Sequence, residues 1–78
     1  MNFKNFVNDL TKVTEANDQL TDESVLQDTA LWDSLAIVST IALINQHFSV
    51  RVSGLELAEC KTVGDILSLI KTYQRAVA

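Results

Sequence analysis

"LWDSLAIVSTIALINQHF", residues 31–48, decides how this chain is read. From Leu35 onward nine of fourteen residues are apolar, and neither proline nor glycine interrupts the run. This predicts a helix that begins at Ser34 and ends near Phe48. Asp33 stands ahead of it as an N-cap, its carboxylate placed to accept the free amides of the first turn. Ser34 follows at N1 with its hydroxyl pointing away from the bundle. Trp32 at N′ is placed to pack on Ile37 at N4, as a hydrophobic staple. The exposed N–H groups and partial positive charge of a helix N-terminus also suit a phosphate ester. Asp and Ser at a helix start equally serve capping alone.

Val38, Ile41, Ile44 or Asn45, and Phe48 trace the seam expected to face inward. Nine apolar residues are more than one seam needs. Leu35, Ile37, Ala42 and Leu43 are therefore either a partly exposed landing site for another protein or side chains packed on the first helix and the loop before Ser34.

Working outward, Phe3, Phe6, Val7, Leu10 and Val13 repeat the spacing of one buried helical face, with Asn2 as N-cap and an end near Ala16. Residues 17–33 form a polar segment too long to be featureless in a small domain. Thr21 is placed to cap a short turn there, and Leu20, Val25, Leu26 and Leu31 to pin the segment to the core. After the long helix, "FSVRV" (48–52) alternates like a strand but has no partner strand, so it reads as an extended connection. "LELAEC" (55–60) makes a helix of one or two turns. Thr62 with Asp65 at N3 then approximates a capping box for a last helix carrying Val63, Ile66, Leu67, Ile70 and Tyr73 on one face. The expected fold is all-α: a small bundle of three main helices plus one short helix, as a single domain over residues 1–78.

Composition agrees. Of 78 residues, 47% are hydrophobic, two are glycine and none is proline, which favours a compact helical domain over disorder or turn-rich β structure. The apolar runs are far shorter than the roughly 18 residues of a membrane span, so no stable membrane insertion is expected. One cysteine, Cys60, excludes an internal disulfide, and with no leader pattern the expected location is the cytoplasm. A net charge of −4 argues against nucleic-acid binding. No Lys or Arg lies between Lys12 and Arg51, while Glu15, Asp18, Asp22, Glu23, Asp28 and Asp33 all lie there. That half should attract basic partners, although a solvated acidic loop kept for solubility explains the same residues.

Hydrolysis at Ser34 would need a base within reach. The only histidine, His47, lies roughly 20 Å along the same helix at 1.5 Å per residue, and no G-x-S-x-G elbow is present. His47 reads as an ordinary helix residue.

"DSL" at 33–35, the spacing of Val38, Ile41 and Ile44, "HF" ending at Phe48, "VRV" at 50–52, the short helix and "CKTVGDILSLI" at 60–70 together resemble an acyl carrier protein over nearly the whole chain. The resemblance implies that a phosphopantetheinyl transferase moves 4′-phosphopantetheine from coenzyme A onto the Ser34 hydroxyl. The arm's thiol would carry an acyl, aminoacyl or similar group as a thioester between a loading ligase and acyltransferases, the chain itself catalysing nothing. It gives Asp33 a role in transferase recognition and Leu35 a role as an apolar partner contact. Ile37 and Ala42 extend the partner-recognition set, and a monomer is the default state.

The chain departs from carriers of the fatty-acid-synthesis type where these place acids after the D-S-L motif and along the exposed face of the helix. Ala36, Ser39, Asn45 and Gln46 stand there instead, and Leu31 and Trp32 replace small residues before Asp33. Charge loss of this kind lowers association rate and specificity more than hydrophobic docking. "WDSLA" resembles specialised discrete carriers that serve a dedicated biosynthetic pathway, and in such a carrier Trp32 is either the staple or an aromatic lip beside the arm. Otherwise the acidic loop supplies the lost attraction. Two further alternatives stand: an aminoacyl carrier (D-alanyl or peptidyl), and an unmodified helical interaction module in which Ser34 merely lies at the cap. Cys60 is either a buried apolar filler or an exposed thiol able to form a disulfide.

Overall fold

The computed structural model describes residues 3–76. They form four α-helices, α1 (Phe3–Val13), α2 (Ser34–Phe48), α3 (Gly54–Glu59) and α4 (Val63–Ala76), with a single 3-10 turn at Leu26–Asp28. The all-α bundle and the bounds of α2 match the expectation; Asn2 lies outside the described residues.

α1 buries Phe6, Val7 and Leu10 and leaves Phe3 and Val13 half-buried. It ends at Val13 rather than near Ala16. The stop is a Schellman arrangement: the Ala16 amide donates to Thr11 O at 3.1 Å and the Glu15 amide to Lys12 O at 3.2 Å, with Glu15 at φ 52°. No glycine marks the place, so the sequence hid it. Thr14, fully buried, donates its hydroxyl to Leu10 O at 3.0 Å, and its own carbonyl accepts the Leu31 amide at 2.9 Å.

The long segment before α2 is tied down by its backbone. Leu26 N donates to Lys61 O (2.9 Å), Val63 N to Ser24 O (3.1 Å) and Gly64 N to Asp22 O (2.8 Å), around an isolated antiparallel bridge between Val25 and Thr62. Leu20 and Leu26 are buried as expected and Leu31 is half-buried, but Val25 is 41% exposed. Val25 is extended (φ −87°, ψ 122°) just ahead of the 3-10 turn, and its side chain faces out where that of Leu26 turns into the core. Gly64 suits a close approach: a Cβ there would stand 3.1 Å from Asp22 O, close enough that the segment would have to shift. Thr21 heads a turn in which Ser24 N donates to Thr21 O, while the Ser24 hydroxyl accepts the Thr21 amide.

α2 buries Ala36, Thr40, Ile44 and Phe48. This corrects the expected seam: Val38 is 61% exposed, Ile41 is half-buried and Asn45 is exposed. With apolar residues nearly all round, periodicity did not select a face. A small residue and a self-satisfied one do, since the Thr40 hydroxyl donates to Ala36 O at 2.8 Å and so enters the core without an orphaned polar atom. Phe48 packs tilted on Phe3 and edge-on against Phe6 at centroid distances of 5.1 and 5.5 Å, joining α1 to α2. Nearby, His47 Nε2 lies 2.9 Å from Asp9 Oδ2, so His47 links two helices rather than standing idle on one.

Of the expected extended stretch, Phe48 ends α2 and Ser49 closes that helix in the left-handed conformation (φ 59°), so the connection is residues 50–53, with Val50 and Val52 buried and Arg51 exposed. α3 opens with a capping box, Ser53 with Glu56. α4 opens with another: Asp65 N donates to Thr62 Oγ1 at 3.2 Å, and Asp65 Oδ2 accepts the Thr62 and Lys61 amides at 3.1 and 3.0 Å. Val63, Ile66, Leu67 and Ile70 are buried and Tyr73 half-buried, the face read from the sequence.

Those amide bonds, first from Lys61 and then from Thr62, hold the Asp65 carboxyl below its usual range. A depressed folded-state pKa stabilises the protein above the unfolded value, about 3.9 for Asp, and the contribution is lost as pH falls through the folded value. Urea unfolding followed by circular dichroism is therefore expected to show a midpoint that drops below about pH 4. Asp65→Asn should lower the midpoint at pH 7 and flatten this acid dependence.

Candidate functional site

The loop that carries Leu31 and Trp32 to the surface meets α2 at Asp33. Asp33 is extended (φ −128°, ψ −171°), its Oδ1 accepts the Ala36 amide at 3.0 Å, and its carbonyl accepts the Ile37 amide at 2.9 Å. The cap read from the sequence is present. Ser34 at N1 is exposed, and among the described residues nothing accepts from or donates to its hydroxyl. The amides of Ser34 and Leu35 likewise have no acceptor among the described residues, so two free donors and the positive end of a 15-residue helix surround that hydroxyl.

This arrangement fits a phosphodiester. The oxygen that would be esterified is in solvent, the free amides would face the anionic phosphate, and Asp33 is already engaged with Ala36 N. It does not fit nucleophilic catalysis, because His47 lies at the far end of α2 and is bonded to Asp9. Among the described residues no three His, Cys, Asp or Glu side chains converge to hold a metal.

The residues expected to meet partners separate. Leu35, 69% exposed, lies beside Ser34 and shares its side of α2 with Val38 and Ala42, both exposed. Ile37 is half-buried and faces α3, its Cγ2 standing 3.8 Å from where a Cβ on Gly54 would lie. Val38 was missed as a surface residue because it was counted in the core seam. Ala36, expected at the exposed face where related chains carry an acid, is buried, so the uncharged surface consists of Ser39, Ala42, Asn45 and Gln46. Leu55 on α3, 82% exposed, is a further apolar surface residue that no sequence signal singled out. Trp32 is half-buried and packs against the core, as Ile37 does.

The six carboxylates of residues 15–33 are all exposed. A cavity of about 290 Å³ lies in the same loop between Asp18, Leu20, Val25 and Asp28, and Ser34 is not in its wall. Cys60 caps α3 from below: it is buried, its Sγ donates to Glu56 O at 3.4 Å, and burial first, then the charges of Asp65, Glu56 and Glu59, push its thiol pKa up. That is the filler role, not an exposed thiol.

Comparison with known proteins agrees with this geometry. The family model for a phosphopantetheine attachment site matches residues 4–70. An acyl carrier protein homolog of Mycoplasmopsis pulmonis (strain UAB CTIP) is 34% identical over 65 residues, which is 83% of this chain and 85% of that protein. Among solved structures, the holo acyl carrier protein from Geobacter metallireducens superposes with a TM-score of 0.70 at 25% identity, covering 92% of this chain and 84% of that one.

Asp33→Ala removes the one side-chain cap of α2 and is expected to cost about 1 kcal/mol in urea unfolding. Asp33→Asn, which keeps an acceptor, should restore most of that loss.

Proposed function

The chain belongs to the acyl carrier protein family, a carrier rather than an enzyme with a phosphopantetheine prosthetic group, and on that premise we propose that Ser34 is the attachment residue. The observation that carries this is the exposed Ser34 hydroxyl at the head of α2 beside two free amides. Attachment would form a bond from Ser34 Oγ to the phosphorus of coenzyme A's phosphopantetheine half, breaking the pyrophosphate bond. 3′,5′-Adenosine bisphosphate leaves, and the hydroxyl proton passes to a base of the transferase. When bound, the group supplies a thiol on a flexible arm that holds an acyl group as a thioester at high effective concentration for each enzyme it meets.

The protein's own residues set the approach. Asp33 fixes the first turn, so the hydroxyl is presented without a competing intramolecular bond, and marks the site for the transferase. Leu35, Val38 and Ala42 give partners an apolar stripe running from Ser34 along α2, with no acid among the neighbouring Ser39, Asn45 and Gln46. Docking on α2 is therefore hydrophobic, and the charge that draws basic partners comes from the loop ahead of it. Ile37 contributes from beneath α3 rather than by direct exposure. A surface so different from an acid-lined one supports service in a dedicated biosynthetic pathway, with its own loading ligase and acyltransferases, rather than in the housekeeping fatty-acid cycle.

Incubation with coenzyme A and a promiscuous phosphopantetheinyl transferase, read by intact mass, is expected to add one phosphopantetheine to the wild type and none to Ser34→Ala. No addition under conditions that modify a control carrier would sink the proposal, and equal addition to Ser34→Ala would move the site elsewhere. At normal expression this chain should not replace a housekeeping fatty-acid carrier in a strain lacking one; rescue of growth would overturn the dedicated-pathway assignment.

A further inference from the structure

Glu56 serves two elements with one oxygen. Its Oε1 accepts the Ser53 amide at 3.2 Å, completing the capping box of α3, and the same Oε1 accepts the hydroxyl of Tyr73 on α4. Ser53 Oγ returns a bond by accepting the Glu56 amide at 3.1 Å. Cap and tether therefore share one acceptor. Glu56 is half-buried, so water competes for its carboxylate whenever the tyrosine lets go.

α3 itself has little to hold it. It is six residues long, too short to persist alone, and Leu57 is its one buried side chain. It lies against α2 at Gly54, where a Cβ would stand 3.8 Å from both Ile37 Cγ2 and Ile41 Cδ1. Elements with few buried contacts open locally at a fraction of the global unfolding free energy. The bonds at Glu56 also lower its carboxyl pKa, Tyr73 contributing most, and raise that of Tyr73, as a bond favouring the carboxylate and the neutral phenol requires.

We propose that Glu56 and Tyr73 form a latch that sets how often α3 swings open as a unit and bares the Ile37–Ile41 flank of α2, while α1, α2 and α4 stay folded. An apolar wall is thereby presented or withdrawn by one hydrogen bond between α3 and α4. The latch operates whether or not Ser34 is modified.

The test uses the full, unmodified chain. Amide hydrogen exchange reports on α3 at Leu57 and Cys60, whose N–H groups donate to Ser53 O and Leu57 O at 3.2 and 3.0 Å. The Cys60 thiol, the only one in the chain, gives a second readout through its rate of labelling by 5,5′-dithiobis(2-nitrobenzoate). Tyr73→Phe keeps the ring and leaves the charges around the thiol in place. It is expected to speed both α3 amides and the thiol roughly fivefold, the size of one lost hydrogen bond. Exchange in α1, α2 and α4 should change only as far as global stability does. Leu43→Ala, which weakens the core without touching the latch, should accelerate Cys60 only in proportion to global unfolding. If Tyr73→Phe proves too unstable to measure, the same amide exchange run in sodium sulfate, which stabilises the fold without restoring the hydroxyl, is expected to give the same α3-confined effect. The latch is refuted if α3 exchange stays within about twofold of wild type, or if all four helices speed up by one common factor.

Discussion

Every other helix in the bundle packs on α2, and α2 must bury one line of side chains against three neighbours while keeping its first turn in water. Ala36, Thr40, Ile44 and Phe48 form that line. It begins only two residues beyond Ser34, so the cap at Asp33 lies where the buried seam meets the solvent-facing serine. A core residue at position 34 would have turned the hydroxyl inward. A longer polar lead would have left the first turn to fray.

The approach to that turn is fixed from a distance. The segment before α2 is held by backbone bonds to residues 61–64 at the head of α4 and by Leu31 N to Thr14 O at the end of α1. Position, charge and helix N-terminus thus converge on Ser34 through three elements. The acidic residues gather in this tethered segment and α2 itself stays free of Asp, Glu, Lys and Arg, which separates long-range attraction from short-range apolar contact.

Much of this was legible because local chemistry wrote it. Asp33 and Thr62 with Asp65 are caps that act within one turn, so residue type and spacing identify them without knowledge of the rest of the fold. The faces of α1 and α4 were readable because polar residues alternate with apolar ones at the helical period. α2 failed that test at Val38, Ile41 and Ala36. When apolar residues lie all round a helix, the inner face is chosen by what the neighbours can accommodate, here a small alanine and a threonine that satisfies its own hydroxyl.

The sequence by itself determined the four helices, the cap at Asp33 and the exposed Ser34 that follows it, since each depends on contacts within a turn or two. The tertiary structure decided which face of α2 is buried, the outward turn of Val25, the His47–Asp9 link and the sharing of Glu56 between α3 and Tyr73. Those features join residues far apart in the chain, and only packing brings such partners within reach of a hydrogen bond or a van der Waals contact.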